Sequence, residues 1–167
     1  MSHDRSDLDS LRLYLTNSAK KAAKQRKKAS SSLSHSACLD QIAAITGRAN
    51  WSLLAKHIDG AEFSQLISIS KKLSPQFRAI GIPDFEGGES LMRDWVISVF
   101  TPLQDFAFYD SETENGYAWP SVELKFELYI RYGDIFPETT IERVALDLEM
   151  SGGPWGLEDY GRTEQDE

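Results

Sequence analysis

Cations and carboxylates are segregated along this chain of 167 residues, and the segregation argues for two modules rather than one uniform globule. Through Pro75 there are 12 Lys and Arg against 6 Asp and Glu, a balance of +6. From Gln76 to Glu167 the count is 6 against 20, a balance of −14, and the whole chain carries −8. A solvated surface of one module normally mixes its signs. The expected organisation is therefore a basic module over residues 1–75, an acidic domain over 76–156 and an acidic, mobile tail over 157–167. A hydrophobic content of 41% is that of a folded protein rather than a disordered one.

The single Cys38 permits no internal disulfide and suits a reducing compartment. The start, Met1 to Asp7, is polar and lacks the apolar stretch of a signal peptide. No apolar run approaches the roughly 20 residues that span a bilayer. The expected location is cytoplasmic, with no membrane contact.

The basic half reads as four short helices. Ser6 is placed to cap the first, with Asp9 near the positive end of its dipole. Leu8, Leu11, Leu15, Ala19 and Ala22 recur at three- and four-residue spacing, which makes one apolar stripe. Lys20, Lys21, Lys24, Arg26, Lys27 and Lys28 crowd its far end. Cations there offset the helix dipole, but six in nine residues exceed that need and open the way to a phosphate-facing patch. After Ala29-Ser-Ser-Ser32, Leu33 and Ser34 read as a staple and an N-cap, with Cys38 as the staple's partner and His35 as the first helical residue. This helix stops at Gly47. Asn50 caps a third carrying Trp51, Leu54 and Ile58, and a fourth runs from about Ala61 to Lys72 with Phe63, Leu66, Ile67 and Leu73 inward.

Leu33-Ser34-His35-Ser36, with Ala43, Gly47, Trp51 and Leu54 following, resembles the helical module of bacterial, phage and plasmid proteins described as glyoxalase-related. The resemblance covers about residues 10–60 and implies a helical fold for that segment. The metal-dependent chemistry that the description suggests belongs to a paired β-α-β scaffold, from which the rest of this chain departs, and no lyase residue carries over. Ala43 and Gly47 are also spaced as in a helix-turn-helix. Ile42 and Leu53 suit that motif, whereas Thr46, Arg48 and Lys56 stand where it wants apolar residues. If this unit reads DNA, then Arg48, Asn50, Ser52 and Lys56 are its exposed candidates.

The acidic half predicts an α+β fold. Ser74-Pro75 and the Gly81–Gly88 loop mark a boundary and a connector. Leu91, Trp95, Val96 and Val99 predict a helix over 89–100. Phe106 and Phe108 suggest a short strand, with Glu114-Asn115-Gly116 as a turn. Val122, Leu124, Phe126, Leu128 and Ile130 alternate with Glu123, Lys125, Glu127, Tyr129 and Arg131, the pattern of a strand with one buried and one wet face. Val144, Leu146, Leu148 and Met150 repeat it, although a helix also suits residues 140–150. The expected domain is a small antiparallel sheet of at least three strands packed on a helix. It holds the main core, because 15 of the 18 aromatics follow Pro75. The run Gly152 to Gly156 then breaks the sheet.

Few chemistries survive a search for motifs. His3, His35, His57 and Cys38 are too scattered to build a zinc site. Phosphate-cradling glycine loops and a Gly-x-Ser-x-Gly elbow are absent, and Cys38 lies on an apolar face, where it packs. One arrangement remains: Asp110 at a strand end, with Glu123-Leu124-Lys125 on the wet face of the next strand. It resembles the carboxylate and Glu-x-Lys pattern of a large nuclease family, in which two carboxylates hold a divalent cation and the lysine positions water. An amphipathic strand produces Glu-x-Lys routinely, and Lys125 paired to Glu123 or Glu127 explains it without catalysis.

The favoured reading is a non-enzymatic binding or regulatory accessory protein of bacterial, phage or plasmid type, without cofactor or metal. Its basic helical module contacts duplex DNA or an acidic partner, and its acidic domain contacts protein. Two alternatives stand beside it. The acidic sheet mimics nucleic acid and inhibits a nucleic-acid-binding protein, or the chain is a metal-dependent nuclease using Asp110, Glu123 and Lys125.

Overall fold

A computed structural model describes residues 3–93, 108–109, 117–118 and 121–150. Helix α1 spans His3–Ala29, α2 His35–Ile45, α3 Trp51–Gly60 and α4 Phe63–Ala79. The chain divides into two units, the first comprising Met1–Gly88 together with Asp134–Phe136. In this unit α1 packs on α2, α3 and α4, and α2 packs on α3 and α4.

The local signals explain these helices. Leu11, Leu15, Ala19 and Ala22 are all buried, joined by Ser18 and Ala23, so one side of α1 forms the spine of the bundle. Ser34 caps α2 by accepting from the Ala37 N–H at 3.1 Å, and Asn50 caps α3 by accepting from the Leu53 N–H at 3.0 Å. Cys38 is fully buried between them in sequence, a packing residue. After α2, the Arg48 N–H donates to the Ala43 carbonyl at 3.1 Å and the Gly47 N–H to the Ala44 carbonyl at 3.0 Å. That is a Schellman closure, and it needs the φ of +82° that Gly47 adopts.

Two expectations for this half are corrected. Helix α1 begins at His3, so Ser6 lies inside it rather than at its cap. Helix α4 runs through Pro75 to Ala79, so Ser74-Pro75 is no boundary. Proline inside a helix removes one hydrogen bond, and here burial of Leu73, Ser74 and Phe77 holds the last turns on the bundle.

The first unit also recruits residues from the acidic half. Phe85 and Phe136 pack edge to face with ring centroids 6.0 Å apart, and Tyr14 meets Phe85 at 5.4 Å and Phe77 at 6.4 Å. Tyr14 Oη donates to the Pro83 carbonyl at 2.9 Å, and the Phe85 N–H donates to the Ile135 carbonyl at 3.3 Å. Burial raises the Tyr14 phenol above its ordinary pKa. Gly88 sits at φ +81°, and a Cβ there would meet the Phe136 and Phe85 rings at 3.0 and 3.1 Å. Only glycine lets the backbone pass so close to this aromatic cluster.

The second unit, Glu89–Gly133 with Pro137–Glu167, overturns the α+β expectation. Its described residues are mostly helical: 89–93, then α5 over Ser121–Tyr132 and α6 over Glu138–Met150, packed as a hairpin. The expected sheet of three or more strands is replaced among the described residues by one two-residue antiparallel pair. In it Phe108 (β1, Phe108–Tyr109) stands opposite Ala118 (β2, Tyr117–Ala118). The strand expected over 122–130 is helix α5, and the one expected over 144–150 is helix α6. The helix expected over 89–100 is described only to residue 93, and Phe106, the 114–116 turn, residues 152–156 and the 157–167 tail lie outside the described residues.

The reason is that an alternating apolar pattern also contains pairs four apart. Leu128 and Tyr132 form the inward side of α5, and Thr140, Ile141, Val144 and Ala145 that of α6. Residues 121–132 are rich in Glu, Leu, Lys and Arg, which favour helix, and Glu127 pairs with Arg131 one turn on at 3.5 Å. The alternation then places Phe126, Tyr129, Ile130 and Leu146 in solvent. Substitution separates the two readings. With Leu128 at 0% and Phe126 at 64% exposure, Leu128→Ala should cost upwards of about 2 kcal/mol, and Phe126→Ala less than about 1. Equal losses in urea unfolding would restore the strand.

Candidate nucleic-acid interface

Helix α1 presents its cations in two different ways. Lys20, Lys24 and Lys27, at i, i+4 and i+7, share one side, with Lys21 and Lys28 flanking them, and all five are exposed. No carboxylate among the described residues pairs with any of them. At about 1.5 Å per residue, Lys20 and Lys28 lie about 12 Å apart along the axis. Duplex DNA carries one charge per roughly 1.7 Å of its own axis, so this stripe can face several phosphates. Arg26 behaves otherwise. It is half-buried, and its guanidinium donates to Gln76 Oε1 at 2.7 Å and Gln41 Oε1 at 3.4 Å, tying α1 to α4 and α2. Its role is tertiary.

Capping accounts for only part of the stripe. Lys27 and Lys28 lie in the last turn of α1, where they meet the negative end of its dipole. That effect fades within a turn, and Lys20, Lys21 and Lys24 stand further back.

Arg48, Asn50, Ser52 and Lys56 are exposed as expected, but they do not form a complete helix-turn-helix surface. Asn50 Oδ1 is committed to its cap. The Trp51 N–H donates to Asp40 Oδ1 at 2.8 Å, which pins the turn between α2 and α3. Leu53, which that motif would bury, is 50% exposed.

Arg48 instead belongs to a half-enclosed cleft of about 170 Å³. Thr46 and Arg48 come from the turn after α2, His57 from α3, and Gln65, Ser68, Ile69 and Lys72 from one side of α4. The spacing 65, 68, 69, 72 is a helical stripe that is legible in the sequence, but its neighbours from α2 and α3 are not. Lys72, His57, Gln65 and Ser68 were therefore missed by sequence reasoning.

The nuclease arrangement finds no such support. Asp110 lies outside the described residues. Positions 123 and 125 are on helix α5 and not on a strand, so the two-residue period that this arrangement needs is absent there. Lys125 pairs with Glu142 of α6, while Glu127 pairs with Arg131, and the Glu142 carboxylate raises the Lys125 ammonium above its ordinary value. Among the described residues no group of three His, Cys, Asp or Glu is placed to hold a metal ion. No described helix is long and apolar enough to cross a membrane. No family model matches this chain, and no curated protein or solved structure is detectably similar to it.

Proposed function

We propose that this chain is a non-enzymatic binding protein whose basic helical unit contacts the backbone of duplex DNA. The observation that carries the reading is the α1 stripe: five exposed lysines without a carboxylate partner among the described residues, three of them beyond the reach of the helix end. Lysines held off from acids are available for phosphates, and their ammonium groups act as point charges that read no sequence. The acidic half repels a duplex and is assigned to protein contact. Its described carboxylates do not support a continuous phosphate-like array, because Glu89, Glu127 and Glu142 are each tied to a cation. The resemblance of residues 10–60 to the helical module of glyoxalase-related proteins is carried as a proposal of kinship for that segment alone.

A salt series tests the reading. The full chain should bind a mixed-sequence duplex at 50 mM salt, with log K falling against log salt at a slope of about −3 to −5. Absence of binding at 50 mM, or an affinity indifferent to salt, would end it.

A further inference from the structure

We propose that the cleft between the turn after α2, helix α3 and helix α4 is a binding pocket for a phosphate group. Its lining offers donors and no carboxylate: the Arg48 guanidinium, the Lys72 ammonium, the Ser68 hydroxyl, the Gln65 amide and an imidazole N–H of His57. Two neighbouring hydrogen bonds decide how these groups present themselves. Gln65 Oε1 accepts from the Glu62 N–H at 3.1 Å, which consumes the acceptor end of that amide and leaves its NH₂ to donate. The Thr46 hydroxyl donates to the Ala43 carbonyl at 2.7 Å. Together with the amides of the Schellman turn, it satisfies the Ala43 and Ala44 carbonyls, two of the acceptors at the negative end of α2.

The backbone positions are fixed. Gly47 sets the path of the chain into Arg48, and the buried Ile69 is the apolar member of the lining. Among the described residues neither Arg48 nor Lys72 has a carboxylate within ion-pairing distance, so two permanent cations meet in one cleft uncompensated. A doubly charged tetrahedral oxyanion neutralises both, and a guanidinium holds two of its oxygens at once. The volume of about 170 Å³ far exceeds the roughly 10–15 Å³ that one water needs, so the anion enters with part of its hydration. No residue of α1 lines this cleft, and the pocket stands whether or not the α1 lysines bind DNA. The phosphate belongs either to a small phosphorylated ligand or to a DNA backbone.

The experiment is an amide-resolved NMR titration of the full chain with inorganic phosphate, with ionic strength held constant by chloride. Saturable shifts are expected at Thr46 to Arg48, His57 and Gln65 to Lys72. Arg48→Gln and Lys72→Gln, both at exposed positions, should each weaken that binding about tenfold or more while leaving the remaining spectrum in place. Shifts that never saturate, or saturation that survives both substitutions, would overturn the pocket. A second arm with a short duplex identifies the source. If the duplex displaces phosphate and Arg48→Gln flattens its salt slope by about one, the pocket takes a backbone phosphate. If phosphate stays bound beside the duplex and the variants leave DNA affinity unchanged, the ligand is a free phosphorylated molecule.

Discussion

Replacing Phe136 by alanine lowers the stability of the helical unit by about 3–5 kcal/mol, the range for an aromatic side chain lost from a packed core. Phe136 is 1% exposed, and its ring lies against Phe85 beside the backbone of Gly88. Gly88, on one side of the ring, has no side chain that could extend into the space. Domains commonly hold only about 5–15 kcal/mol in all, so the variant spends a large part of the unit's stability on one ring. The measurement is urea unfolding of the full chain followed by near-ultraviolet signals from Tyr14 and its neighbours. A shift of midpoint without a change of slope is the expected form. A loss below about 1 kcal/mol would show that Asp134–Phe136 does not belong to the first unit.

The second large effect is on binding. Changing Lys20, Lys24, Lys27 and Lys28 together to glutamine removes up to four phosphate contacts, and with them about 3.6 units of salt slope. If affinities of the two proteins converge near 1 M salt, a full loss of those contacts leaves the variant about four-thousandfold weaker at 0.1 M, whatever the DNA sequence. All four side chains are exposed and Arg26 keeps its bonds to Gln41 and Gln76, so the helical circular dichroism should not change. A variant that loses helical signal as well would assign these lysines to holding the end of α1. Unchanged DNA affinity in a folded variant would remove α1 from the interface.

The candidate site was legible in part. The lysine run is a feature of the sequence, as is the exposure of most of it, because helical spacing predicts which positions escape the apolar stripe. That Arg26 turns inward was not legible, since Gln41 and Gln76 lie 15 and 50 residues away. The cleft was invisible for the same reason. Arg48, His57 and Lys72 meet only after three helices have packed, and neither His57 nor Lys72 stands out in its own segment.

The amino-acid sequence by itself determined that the basic half folds as four helices and where α2 and α3 begin, because those caps are short-range events. Ser34 and Asn50 cap within three residues, and Gly47 relieves a left-handed turn that few other residues tolerate. It did not determine the state of residues 121–150. A strictly alternating stretch satisfies a strand's period of two and also supplies the four-residue spacing of Leu128 and Tyr132. The choice between them rests on which face finds a partner, and that partner is α6, joined through buried Ile141 and Val144 and the Lys125–Glu142 pair. Tertiary structure likewise decided that Phe77, Phe85 and Phe136 serve the basic unit. Aromatic burial follows from which surfaces meet, and composition along the chain carries no record of that.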